Sequence, residues 1–421
     1  MDRSAELYAR SSKVSPGGVS SPVRAFKPNP VFIAKGQGSK VWDADGNEYI
    51  DLCMAYGPLI TGHACPRVME AAKEQISRGT VYGAPSEPEL NLIERIVKEV
   101  PSAEMVRLGC SGTEATMHAI RVARGVTGRD DIIKMNGGFH GAHDAALVAA
   151  GSGSAGGVPS SKGVLKDVAK HTFTAEYNDA QNMSEILDRN DIACVIMEPI
   201  LGNVGIVTPE KRYLEEVRKI TNEHDTVLIF DEVIMGFRAS SGGAQKRYGV
   251  TPDMTTMGKI VGGGFAAGAF MGKKEIMENV APQGQVYVAG TFAGNPVSAA
   301  AGLAAIDLMC SNNNYDKLEK RTDCLVRAIR ESMADNKVTG CVNSVASIFS
   351  IFFGIEKATN GTEAMKADRQ MFDRMFRYML ANGVYLPPSA LEVDFMSIAH
   401  SKEDVAELEE KFKGFFESVK Q

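Results

Sequence analysis

The sequence predicts an α/β fold, with a large domain on a mostly parallel, doubly wound sheet and a smaller α+β domain beside it. Three observations lead there. From about residue 61 to 310, short apolar runs alternate with amphipathic stretches, the pattern of strands joined by crossover helices. The run Val227 to Phe230 is apolar throughout, too short and too β-branched for a helix, and reads as a strand buried on both faces. At 421 residues the chain can bury a sizeable core and divide in two.

In chain order, a short helix is expected around residues 5–12, followed by an arm at 15–24 in which Pro and Gly forbid regular structure. Residues 31–51 read as a hairpin turning at Asp45, Gly46 and Asn47. Residues 1–60 thus form an N-terminal arm and part of the small domain. The large domain spans 61–312, with strands at 105–108, 131–134, 194–197 and 227–230. Between the first two, Ser111 and Glu114 have capping-box spacing at the start of a helix running to about Arg124. Residues 149–170 are glycine-rich and aperiodic at first, and an irregular insert between strands of one domain reads as a lid. A turn cluster at 311–314 precedes the C-terminal small α+β domain, 313–421. That domain is expected to hold helices at 315–334 and 364–381, strands near 347–353, and a charged amphipathic helix from Ser401.

A charged fraction of 23% and a hydrophobic fraction of 44% are those of an ordinary globular protein. The formal net charge of -6 argues against nucleic acid or an anionic membrane as partner. Seven cysteines without framework spacing read as reduced thiols of a cytoplasmic protein. None forms a CxxC pair, and His63 near Cys65 lacks further ligands, so no metal is expected. No export signal and no membrane-length apolar run stands out.

The chemistry is expected at Asp231 and Lys259. Asp231 closes the strand 227–230, at the carboxyl edge where open α/β sheets bind ligands. Lys259 lies between Gly258 and the glycines 262–264, and an amine with little water has a lowered pKa and can act as a nucleophile. A carboxylate that keeps a pyridine nitrogen protonated, with a lysine that forms a Schiff base, is what pyridoxal phosphate requires. Alone, Asp231 reads equally as a helix N-cap, while Lys259 reads more readily as a surface charge, Ser111 as a plain cap and Arg24 as a solvated arginine. The glycines 262–264 break GxGxxG spacing, and Lys259 is followed by Ile260, so dinucleotide and P-loop readings fail.

With those residues in view, the chain resembles the class III aminotransferase-like, fold type I pyridoxal phosphate enzymes, and within them the aminomutase branch. The resemblance runs nearly end to end. It rests on residues 16–26 (PGGVSSPVRAF), 150–153 (AGSG) with 158–161 (VPSS), 251–256 (TPDMTT), 290–296 (GTFAGNP), 384–389 (VYLPPS) and 395–400 (FMSIAH). It implies that Lys259 holds the cofactor, pyridoxal or pyridoxamine 5'-phosphate, and shuttles protons, while Asp231 faces the ring nitrogen. It implies that Ser111, Gly112 and Thr113 cradle the phosphate, that Phe139 and Val233 cover the two ring faces, and that His140 and Asn203 also bind the cofactor. Thr291 would reach the phosphate of a neighbouring subunit, which implies a homodimer with shared active sites. Arg24, Tyr56, Ser152 and Glu392 would bind substrate, Arg24 holding its carboxylate. Glu392 would stand where ordinary aminotransferases of the group carry an arginine. The implied reaction moves an amino group within one molecule, through a diamine that closure of the lid retains. Tyr56 in place of Trp, Phe139 in place of Tyr, and Gly109-Cys110 in place of Val-Asn read as subfamily variation. The rivals are an intermolecular aminotransferase for β- or ω-amino acids, and a fold kept for binding alone, whose mark would be loss of Asp231 or Lys259.

Overall fold

A computed structural model describes residues 2–148 and 161–420. β1 (Ile33–Gln37), β2 (Lys40–Asp43) and β3 (Glu48–Asp51) form an antiparallel meander instead of the single expected hairpin. Gly38, at φ +61°, supplies the additional turn. At the anticipated turn, the Asp43 carboxylate accepts from Asp45 N, Asn47 N and the Tyr49 hydroxyl, which fixes the loop.

The central sheet is assembled from β4 (Met105–Gly109), β5 (Asp131–Met135), β6 (Thr172–Ala175), β7 (Ile192–Met197), β8 (Val227–Asp231), β9 (Met254–Gly258) and β10 (Gly268–Gly272). Its order is β4-β10-β9-β8-β7-β5-β6, and every strand but β10 points the same way. All residues of β7 to β10 are buried, as continuous apolar runs in a sheet covered on both faces require. The fold class is therefore α/β with a mostly parallel sheet. Three strands went unanticipated, namely β6, β9 and β10. The reversed strand β10 lies second from one edge of the order, between β4 and β9, and its Gly268 pairs with Gly109 on one side and Gly258 on the other.

β11 (Gly340–Val345), β12 (Ile348–Phe353) and β14 (Asp394–Phe395) make a third, antiparallel sheet. β13 (Val384–Tyr385) joins β3 in parallel, Val384 opposite Ile50, so the two ends of the chain share one sheet. The helix expected over 364–381 is two helices, Gly361–Ala364 and Arg369–Ala381. The break falls where the Asp368 carboxylate accepts from Gln370 N and Met371 N and starts the second helix. The other expected helices appear as Asp2–Ser11, Asn314–Asp335 and Lys402–Ser418, the last with a full capping box between Ser401 and Asp404. Of the expected lid, residues 149–160 lie outside the described residues, and its end contains a short helix, Lys166–Ala169. Among the described residues no helix is long and apolar enough to cross a membrane, and no cluster of potential metal ligands occurs.

Candidate active site

Because six strands run in parallel, their carboxyl ends deliver side chains to one edge. β8 ends in Asp231, β9 is followed by Lys259, β7 by Glu198, and β4 by Cys110 and Ser111. Ser111, Glu198, Asp231 and Lys259 line one cleft of about 760 Å³, a volume suited to a cofactor and a small substrate.

Asp231 is 4% exposed and closely held. Its Oδ2 lies 2.8 Å from Nδ1 of the fully buried His140, and its Oδ1 accepts from Val233 N at 3.0 Å and Thr256 Oγ1 at 3.2 Å. A carboxylate accepts about four hydrogen bonds, so three are met by protein and one remains, on a residue that lines the cleft. No helix starts at Asp231, which removes the N-cap reading. Lys259 is half-buried, and its Nζ donates to the Tyr56 carbonyl at 2.7 Å. Desolvation pulls its pKa below the ordinary lysine value, against the upward pull of Glu392 and Glu198. The surface-charge reading is thereby excluded.

The helix Gly112–Thr127 begins at the cleft. Ser111 Oγ accepts from Glu114 N at 3.1 Å, while the Glu114 carboxylate reaches back to Cys110 N, one residue beyond the usual capping-box partner. The N–H groups at this start remain available to an anion. Close approach is built in: a Cβ on Gly112 would lie 2.9 Å from Val233 Cγ1, and one on Gly141 2.7 Å from Thr113 Cα. These donors, the free acceptor site of Asp231 and the desolvated amine fit pyridoxal phosphate.

Glu198 escaped the sequence reading. It is 3% exposed, accepts from Phe139 N, Gly202 N and Asn203 Nδ2, and burial raises its pKa. The signal was present, since an acid directly after the apolar strand 192–197 obeys the same rule that picked out Asp231. Lys134, fully buried, donates to the Gly138 and Val148 carbonyls, and desolvation lowers its pKa to about 7.

Phe139, Asn203, Val233, Tyr56, Glu392, Gly112 and Thr113 all reach the cleft wall. His140 does not: it stands behind Asp231, with its Nε2 buried and lacking a hydrogen-bond partner. Arg24 is exposed and outside the wall, although residues 20–23 belong to it and Val23 O accepts the Tyr56 hydroxyl at 2.9 Å. Thr291 is exposed and is not among the residues lining the cleft of its own chain; it adjoins Phe292, which is 58% exposed. Ser152 lies outside the described residues.

One wall is strained. Met54, Ala55 and Tyr56 all have left-handed φ, +42°, +55° and +64°, and Gly57 follows at +119°. Each left-handed non-glycine residue costs about 1–2 kcal/mol, so the run persists only because its surroundings impose it.

A family model described as aminotransferase class-III matches residues 23–413. The fold and site define a pyridoxal phosphate-dependent transferase, and the chain belongs to the class-III aminotransferase family. Within that family it is 53% identical to a glutamate-1-semialdehyde 2,1-aminomutase from Archaeoglobus fulgidus, over 96% of this chain and 97% of the relative. A protein of the same name from Methanothrix thermoacetophila is 51% identical, over 99% and 96%. Among solved structures, an omega-transaminase from Sphaerobacter thermophilus matches with a TM-score of 0.93 at 32% identity, covering 99% and 98% of the two chains.

Proposed function

We propose that this enzyme is an isomerase of tetrapyrrole biosynthesis that converts (S)-glutamate-1-semialdehyde to 5-aminolevulinate by moving an amino group within one molecule, with diaminovalerate held between. The observation that carries the chemistry is the placing of Asp231 and Lys259 at adjacent strand ends, both facing one cleft. Bound pyridoxal phosphate supplies an electron sink for the carbon losing a proton. Asp231, oriented by His140, Val233 N and Thr256, keeps its negative charge toward the ring nitrogen. Lys259, desolvated and facing the same cleft, would take a proton at Nζ from the carbon on one side of the transferred nitrogen and return it to the carbon on the other side. Ser111, Gly112 and Thr113 hold the phosphate, and Phe139 and Val233 keep water from the ring faces.

The choice of an intramolecular reaction is supported by charge. Among the described residues the cleft wall carries three carboxylates, Glu198, Asp231 and Glu392, against one amine, Lys259. Such a wall repels the second carboxylate of a glutamate-like amino donor. The single carboxylate of the semialdehyde falls instead to Arg24, brought in from the rim. The likeness to an omega-transaminase keeps intermolecular transfer as the second reading, because the fold alone does not separate the two.

The reading includes a cytoplasmic homodimer with shared sites, supported by seven unpaired cysteines and by the exposed Thr291 segment. It also divides the chain into a large domain, 61–312, and a small domain built from 1–60 and 313–421. The test is incubation of the purified protein, in its pyridoxamine phosphate form, with glutamate-1-semialdehyde and no amino donor. Many turnovers of 5-aminolevulinate per site are expected. Turnover that appears only after an external donor is added would transfer the assignment to the rival.

A further inference from the structure

Arg238 is a buried cation that the proposed reaction does not use. It is 1% exposed, and among the described residues it makes no ion pair. Its guanidinium donates instead to three uncharged oxygens, those of Gly57 O at 2.6 Å, Ser347 Oγ at 2.8 Å and Met396 O at 3.2 Å, and lies 5.0 Å from the Phe395 ring centre. Burying a charge without an acid to meet it is costly, so the arrangement must be repaid elsewhere.

The return lies in what Gly57 follows. The left-handed run Met54 to Tyr56 is gripped at both ends. At its start, Asp51 Oδ1 accepts from Cys53 N at 2.8 Å and Met54 N at 3.0 Å. At its end, Arg238 holds the Gly57 carbonyl. Between the two grips the Tyr56 carbonyl is turned into the cleft, where it accepts the Lys259 amine. Room is tight: a Cβ on Gly57 would lie 3.3 Å from Lys259 Cδ and 3.1 Å from Phe395 Cε1, the ring on which Arg238 rests.

We propose that Arg238 is a positioning residue for Lys259: it locks the end of the strained run so that the Tyr56 carbonyl holds the lysine amine whenever that amine is not bonded to the cofactor. Released from the clamp, the run relaxes toward ordinary φ values and the carbonyl swings away. Lys259 is then drawn to Glu392, Glu198 and Asp231, the acids that face it, and is protonated more readily. Arg238 also opposes that protonation directly through its own charge, adding to desolvation, while the Tyr56 phenol stays neutral. This inference rests on the reading of Lys259 as the proton-carrying amine.

The experiment uses full-length protein in its pyridoxamine phosphate form, where the lysine is free. The pH dependence of Lys259 acylation by acetic anhydride is followed by peptide mass spectrometry, alongside kcat and KM. For Arg238→Met the acylation midpoint and the acid limb of kcat are expected to rise together by about one pH unit, with kcat down about tenfold and KM within about twofold. Arg238→Lys keeps the charge but offers a single ammonium in place of the fork. Its midpoint is expected to rise by less than that of Arg238→Met, because the charge is kept, with kcat still reduced about threefold or more. If Arg238→Met loads cofactor normally and leaves both midpoint and kcat within about twofold of the parent, the inference falls. If that variant does not fold, Arg238→Lys decides, and parental kcat in it has the same consequence. Lys259→Ala separates the two layers, since 5-aminolevulinate formation by that variant would sink the underlying reading whatever Arg238 does.

Discussion

On the floor of the cleft, Asp231, Glu198 and Lys259 leave the ends of parallel strands, and the oxygens of Asp231 have three protein donors at 2.8 to 3.2 Å. On the rim, Arg24 and Thr291 are exposed, Phe139 is 38% exposed, and Tyr56 is tied to the arm by one hydroxyl bond to Val23 O. The floor is a product of the sheet and is complete within one chain. The rim is collected from segments far apart in sequence, and its proposed partners are substrate and a second copy. Chemistry is therefore expected to respond to the floor and grip on substrate to the rim.

The sharpest way to test that division is Lys259→Ala, expected to bind cofactor without covalent attachment and to lower kcat by more than about a thousandfold. An absorption spectrum and a 5-aminolevulinate assay decide it. Asp231→Asn keeps the shape and loses the charge, and kcat should fall about a hundredfold with the protein folded. A drop in KM alone would break the assignment of Asp231 to the floor. Arg24→Ala, on the rim, should raise KM about tenfold while the cofactor spectrum and kcat hold. An unchanged KM returns Arg24 to a solvated role. The smallest effect is expected for Ser111→Ala, which removes a helix cap and costs about 1 kcal/mol of stability in a urea titration. Weaker retention of cofactor on dialysis should accompany it.

The same division governed what could be read from sequence. β7 and β8 were legible because strands buried on both faces read as continuous apolar runs, while β4 and β5 showed shorter apolar stretches around Arg107 and Lys134. β9 and β10 were not, since Thr255 and Thr256 interrupt one and Gly268 and Gly272 bound the other, so neither shows a plain apolar run. The break at residues 365–368 was hidden because apolar residues continue through it, and only the Asp368 cap marks the new start. Asp231 and Lys259 could be picked out because strand ends and glycine-lined lysines carry a physical signature. His140 shows the limit of resemblance: the residue was found, but its place behind Asp231 depends on contacts that no spacing reveals. Arg238 gave no signal, for an arginine between Phe237 and Ala239 looks like any other until its three acceptors arrive from residues 57, 347 and 396.

The reversed strand β10 carries one last implication. A Cβ on Gly268 would lie 2.1 Å from the Ser111 carbonyl, so the sheet and the first turn of the neighbouring helix touch backbone to backbone. How far that turn's N–H groups project into the cleft is thus calibrated by a methyl group that is missing. Adding it, as alanine at 268 would, must lever the whole helix outward, and the anion-binding end would retreat without any change in the residues that form it.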